Sequence, residues 1–307
     1  MENAREHLYL AALLHDIGKF YQRADKSLGD KENVLSEVSK RIAAYTCPLN
    51  DAGNFAYQHV IWTSEFLEKF DDVFKAITGQ DGSPSVKDAE NSIYRLACYH
   101  HKPDSENSAI VSLADWWSSG IDRYVPIDEE KEDSKDPIQW GEKRYKKIPM
   151  YSIFNKINGG NNNYAFPLSP LSIEKDDLFP KAIAKADDGV TEQKYKDLWD
   201  KFAEEVPKLP TDSFNGFAES LLYLLKKYTW CVPSNTNGMA DVSLFEHLKT
   251  TAAFADCLYL YKQAHPDDFA FDKVSKRVSL KDGVCPVILL GGDLSGIQKF
   301  IYNLLCI

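Results

Sequence analysis

Leu13-Leu14-His15-Asp16-Ile17-Gly18-Lys19 sets an imidazole beside a carboxylate inside an aliphatic stretch. From Arg5 to Tyr21, Leu8, Leu10, Ala11, Ala12, Leu14, Ile17 and Phe20 recur mostly at three- and four-residue spacings, and no proline occurs before Pro48. This spacing predicts one helix running through the pair. Neighbours on a helix project about 100° apart, so His15 and Asp16 on one edge reach a single metal ion from two sides. Imidazole with carboxylate suits Mn²⁺, Fe²⁺, Co²⁺ or Ni²⁺. A carboxylate also bridges a second ion, giving a two-metal site that activates water against a phosphodiester. A His-Asp dipeptide alone is weak, since short motifs arise by chance. Its aliphatic setting sharpens it, because a buried charge needs partners. The plain alternative is a salt-bridged pair on a solvated edge. Lys19 follows Asp16 by three residues on nearly the same face, and both contact with a scissile phosphate and a surface salt bridge stay open.

Outward from this pair, other metal-type side chains recur at helical positions. His59 begins HVIWTSEFL, in an amphipathic helix expected from about 57 to 70. His100 and His101 close a helix expected from about 89 to 100, ended by Pro103. Asp115 lies in the apolar SLADWW of a helix beginning near Ser108, where a lone carboxylate is out of place without a cation. Singly, each is more often a satisfied polar residue. Together they give the order HD, H, HH, D. Tyr99, Trp116 and Trp117 flank them; core packing is their default role and base stacking the alternative.

The rest of the chain bounds this reading. The 307 residues suggest two domains, or one with an insertion, and 44% hydrophobic with 12% aromatic content excludes disorder as the main state. No apolar run approaches a membrane span, and Glu2, Glu6 and two histidines near the start are wrong for a signal peptide. Cysteines 47, 98, 231, 257, 285 and 306 form no CxxC pair, so reduced thiols in the cytoplasm are expected and a cysteine zinc site is not. The net charge of −10 argues against a broad basic nucleic-acid surface, though a divalent metal supplies positive charge at one spot. Residues 127–136, IDEEKEDSKD, read as a solvated linker. Residues 148–154 are strand-like, 159–163 a turn, and helices are expected around 191–205, 213–228 and 244–264. Pro286-Val-Ile-Leu-Leu290 reads as a buried strand, followed by Gly291-Gly-Asp-Leu-Ser-Gly296 and a helix through Leu305.

The order HD, H, HH, D resembles the HD-superfamily phosphohydrolases. That family places a histidine on a helix before the HD pair; here only His7 precedes it, on the same helix. Leu244-Phe-Glu-His-Leu-Lys-Thr-Thr-Ala-Ala-Phe-Ala255 looks like the missing first helix, which implies a circular permutation with His247 returning to the site. Capping or packing of a core helix by His247 is the alternative. Gly291-Gly-Asp-Leu-Ser-Gly-Ile-Gln-Lys-Phe-Ile-Tyr302 resembles the opening of the first palm domain in the large subunit of type III-A CRISPR effector complexes, and 241–253 and Tyr151–Phe154 are also similar to that subunit.

The resemblance implies a mainly α fold: a circularly permuted HD helical domain with a small strand-containing insertion, then the first strand and helix of a truncated ferredoxin-like palm. The implied divisions are 1–125 for the HD core, 126–205 for linker and insertion, 206–282 for the completing helices and 283–307 for the palm start. It implies a metal-dependent single-strand DNase holding one or two ions of Mn, Ni or Co. The implied ligands are His15, Asp16, His59, Asp115, one or both of His100 and His101, and His247, with Asp16 bridging. A full-length protein would also make cyclic oligoadenylates from ATP with Mg; a chain ending at Ile307 is expected not to. Gly292, Asp293 and Ser295, where a helix opens, suit a nucleotide phosphate, or else serve only a tight turn. Implied partners are single-stranded DNA and the other subunits with guide and target RNA, without a membrane. Two rivals remain: an HD-type nucleotide phosphohydrolase, and a degenerate scaffold for ribonucleoprotein assembly using the 148–179 region.

Overall fold

A computed structural model describes residues 2–79, 91–119, 144–157, 164–183, 191–236 and 240–292. The helix expected through the His-Asp pair is broken at the pair itself. Helix α1 (Glu2–Leu14) ends one residue before His15, and α2 (Ile17–Ala24) begins one residue after Asp16. Asp16 sits at φ −108°, ψ 10°, outside the helical region. Close packing accompanies the break: a Cβ on Gly18 would lie 2.0 Å from the His59 carbonyl oxygen and 2.6 Å from the Thr63 amide nitrogen. The Gly18 amide donates to Thr63 Oγ1 at 3.1 Å, and that hydroxyl donates to the His15 carbonyl at 3.0 Å. Glycine therefore lets α2 lie directly on α4 (His59–Lys69), with the His-Asp pair held at the corner.

Around this corner stand α3 (Glu37–Thr46), α5 (Asp71–Thr78), α6 (Ile93–Cys98) and α7 (Glu106–Ser118), the last opened by a Ser105–Ser108 capping box. After a short α8 (Lys175–Leu178) come α9 (Glu192–Glu205), α10 (Phe214–Thr229) and α11 (Leu244–Ala264). The long α11 packs on both α1 and α7, while α2 packs on α4 and α9. One main core includes Leu10, Leu14, Phe20, Trp62, Phe66, Trp199, Phe202 and Leu248. Trp199 on α9 stacks on Tyr21 with ring centroids 4.0 Å apart, so α9 belongs to this core. None of the described helices is long and apolar enough to cross a membrane. Among the described cysteines, Cys47, Cys98, Cys231, Cys257 and Cys285 are free thiols.

Strands are short. β1 (Tyr164–Ala165) pairs antiparallel with β2 (Lys181–Ala182), and a second small core gathers Ile148, Tyr151, Ala165 and Ala240. The strand expected over 148–154 reduces to a single bridge from Tyr151 to Ala165. Ser152 then caps a 3₁₀ turn at Ile153–Lys156 by accepting from the Phe154 amide, which ends extended pairing. A hairpin that periodicity did not signal, β3 (Phe269–Asp272) with β4 (Arg277–Leu280), lays β4 on α7. The strand expected at Pro286–Leu290 is not formed. Ile288, Leu289 and Leu290 are exposed, and a strand needs a hydrogen-bonded neighbour to persist. The linker at 127–136, the turn at 159–163 and the helix expected beyond Gly292 lie outside the described residues.

Candidate metal centre

Five of the seven expected ligands converge on the carboxylate of a sixth, Asp16, or on a residue beside it, and the last, His101, joins through His59. His59 Nε2 lies 2.8 Å from Asp16 Oδ1, and His100 Nε2 lies 3.7 Å from the same oxygen. On the other oxygen, Asp16 Oδ2, stand His247 Nε2 at 3.1 Å and His15 Nε2 at 3.4 Å. Asp115 Oδ1 is 3.2 Å from His247 Nε2 and 3.6 Å from His15 Nε2. His101 Nε2 is 3.1 Å from His59 Nε2. Two ligand sets result, Asp16–His59–His100–His101 and His15–Asp16–Asp115–His247, in each of which the ligand atoms lie within 4.8 Å of one another. Asp16 belongs to both. His7 stands apart, its Nδ1 bonded to the Asn91 carbonyl at 3.0 Å.

Local structure fixes which nitrogen each ring presents. His15 follows the last residue of α1, and His100 follows α6 by two residues. There each Nδ1–H donates to a free terminal carbonyl three residues back: His15 to Ala12 at 2.7 Å and His100 to Ala97 at 2.6 Å. The single proton of the Ser118 hydroxyl goes to the His247 carbonyl at 3.1 Å, so its oxygen accepts from His247 Nδ1–H at 3.0 Å. In all three rings Nε2 faces the centre, the second-sphere pattern that orients metal-bound histidines.

The electrostatics fit a cation. His15 Nε2, His100 Nε2 and Asp115 Oδ2 are buried without a hydrogen-bond partner, a costly state for protein alone. Burial opposes ionisation of Asp16, yet Lys19, His15 and His59 hold it well below the usual carboxylate range. Burial likewise opposes ionisation of Asp115, but the nearby His15 and His247 rings hold it low. Burial pushes the His15 imidazole down too, but Asp16 and Asp115 outweigh it and raise the ring to about 9. His100 is pushed down by burial and by His15 to about 3, and burial also lowers His59 and His101. The neutral His59, His100 and His101 imidazoles beside two ionised carboxylates form a donor set for divalent transition metals.

Lys19 Nζ sits 2.6 Å from Asp16 Oδ2 and is a quarter exposed, at the rim of the cluster. Trp116 and Trp117 are partly exposed; Trp117 packs edge-on against Phe254, 5.9 Å between centroids, and so is taken up by packing. Gly292 is exposed. Asp293 and Ser295 lie outside the described residues.

Residues 1–120 match the HD domain family model. A protein of Methanocaldococcus jannaschii, named a CRISPR system single-strand-specific deoxyribonuclease Cas10/Csm1 of subtype III-A, is 30% identical over 99% of this chain and 36% of its own length. A protein of the same name from Mycobacterium tuberculosis is 26% identical over 96% of this chain and 34% of its own. Over nearly its whole length the chain is thus similar to the Cas10/Csm1 proteins of subtype III-A CRISPR systems. It spans about a third of the length of these Cas10/Csm1 relatives. Among solved structures, Csm1 in T. onnurineus is 21% identical with a TM-score of 0.49, covering 84% of this chain and 28% of that one. A Csm1–Csm4 subcomplex of the type III-A interference complex is 24% identical with a TM-score of 0.45, at the same coverage.

Sequence reasoning did not single out Ser118, the partner of His247, although its place three residues after Asp115 on α7 was available. Nor did it find Tyr57, whose ring stacks on His101 with centroids 4.0 Å apart. It stood at the start of the helix expected from about 57, whereas α4 begins only at His59.

Proposed function

We propose that this chain is a metal-dependent phosphodiesterase that cuts single-stranded DNA, working in the cytoplasm as the HD nuclease part of a type III-A large subunit. The observation that carries the reading is the shared carboxylate: Asp16 joins two histidine-rich ligand sets in one buried cluster. The name of the relatives, single-strand-specific deoxyribonuclease, supports the substrate class.

Asp16 would be shared by the two sets: with it, His59, His100 and His101 would hold one ion, and His15, Asp115 and His247 would hold a second. Bound there, one or two divalent ions of the Mn, Co or Ni type would supply Lewis acidity and an activated water for phosphodiester hydrolysis. The chain itself contributes orientation. Ala12, Ala97 and Ser118 lock the rings of His15, His100 and His247, and His59, His100 and His101, which burial keeps neutral at neutral pH, need lose no proton to bind. Lys19, at the rim, is placed to trade its bond to Asp16 for a phosphate oxygen. The arrival of His247 from α11 supports a permuted helix order, with 206–282 completing the domain begun in 1–125. Oligoadenylate synthesis from ATP and Mg is assigned to the full-length protein, and guide RNA, target RNA and further subunits are its partners.

The test is cleavage of a 5′-labelled single-stranded oligodeoxynucleotide in Mn²⁺, set against duplex DNA, mononucleotides and cyclic nucleotides. The reading expects cleavage of the single strand alone, stopped by EDTA. Turnover of nucleotides without DNA cleavage would make the chain a nucleotide phosphohydrolase. A metal-free, inactive protein would make it a scaffold.

A further inference from the structure

Next to the ligand cluster, a groove of about 310 Å³ runs between the residues before α4, the α6–α7 connection, α7 and the β3–β4 hairpin. That is the low end of the range of small-ligand sites. His101 is shared by both: it lines the groove and reaches His59, which bonds Asp16. Tyr57, half exposed, covers the His101 ring. Trp116 follows Asp115 on α7, so one residue is bonded within the cluster while the next, about 100° round the helix, lines the groove. The Arg277 guanidinium lies 5.1 Å over the Trp116 ring. Lys102 and Lys276 add two more cations, and among the described residues the lining includes no carboxylate, in a chain with 46 acidic and 36 basic residues.

Backbone conformation singles out the same place. Among the described residues, the non-glycine residues at positive φ are Tyr57, at 54°, and Lys276, at 56°; both line this groove. Such conformations are unfavourable for L residues and concentrate at binding sites.

We propose that this groove holds the nucleotide next to the scissile phosphodiester of a single-stranded DNA. The unpaired base stacks on Tyr57 and Trp116, and Lys102, Lys276 and Arg277 neutralise the adjoining phosphates. The proposal rests on the phosphodiesterase reading and deepens it. Aromatic faces beside cations accept any unstacked base, as in other single-strand binders. A paired base keeps both faces covered by its neighbours, so the groove gives a physical reason for discrimination against duplex.

Two measurements separate this inference from the nuclease reading. The first is anisotropy of fluorescein-labelled dT12 in EDTA, which needs no catalysis. For K276Q/R277Q and for Trp116→Ala the expected loss of affinity is about tenfold or more. The charge variant should also flatten the salt dependence by about 0.7 log units per contact removed. The second is the ratio of dT12 cleavage to bis(p-nitrophenyl) phosphate hydrolysis, since that small diester needs no neighbouring nucleotide; this ratio should fall about tenfold. Unchanged dT12 binding overturns the groove assignment, as does equal loss on both substrates. If wild type hydrolyses neither diester, the phosphodiesterase reading fails, while the binding comparison alone still decides the groove.

Discussion

The two halves of the cluster share Asp16 but differ in depth. His15, Asp115 and His247 are at most 3% exposed and are closed in by α1, α7 and α11. On the other side His59 is 7% exposed and His101 partly exposed, touching Tyr57 and the groove. Closed metal sites tend to be structural, whereas catalytic ones keep a position open to substrate. On the proposed reading, the inner half would hold the Asp16 carboxylate in place and the outer half would admit the substrate.

Removing the element common to both halves should have the largest effect. Asp16→Asn is expected to abolish tight metal binding and to cut the DNA cleavage rate by ~10³-fold or more, read by metal analysis beside initial rates. Full activity in that variant would dissolve the comparison, since nothing would then link the halves. Gly18→Ala tests the corner that brings them together. The added methyl meets the α4 backbone, so about 1–3 kcal/mol of stability should be lost, seen as a lower denaturant midpoint. An unchanged midpoint would mean that α2 and α4 have room to part.

Single histidines sharpen the contrast. His101→Ala should cost about 10–100-fold in rate while the inner ion is retained; His247→Ala should lose the inner ion itself. The reverse pattern would exchange the roles of the halves. Proton release distinguishes them as well. Without metal, His15 carries its proton up to about pH 9, whereas burial keeps the His59, His100 and His101 rings neutral at neutral pH. A cation at the inner half must displace the His15 proton. Affinity there should rise about tenfold per pH unit from 7 towards 9 and then level, while the outer half shows no such slope. Calorimetry in two buffers of different ionisation enthalpy counts the proton; none released at pH 7.5 would contradict the assignment.

Part of this candidate centre was legible because its acidic residues interrupt an apolar pattern. Asp115 inside SLADWW and His15-Asp16 inside ALLHDIG are polar residues where a core helix demands hydrocarbon, and the fold does bring them together. The break between α1 and α2 was not legible, since Leu14, Ile17 and Phe20 keep helical spacing across it. Only the approach of Gly18 to α4, a tertiary contact, reveals the corner. The β3–β4 hairpin escaped for a similar reason: Phe269, Phe271 and Val278 alternate over strands of four residues, too short to stand out from loop. The converse error at Pro286–Leu290 arose because apolar runs promise a strand, yet no described segment pairs with it.

The most direct measurement is anomalous diffraction at the manganese edge from crystals grown in Mn²⁺. The account predicts two peaks flanking the Asp16 carboxylate, one beside His59, His100 and His101 and one beside His15, Asp115 and His247. Manganese held elsewhere, with Asp16 bonded only to Lys19 and the histidines, would contradict it.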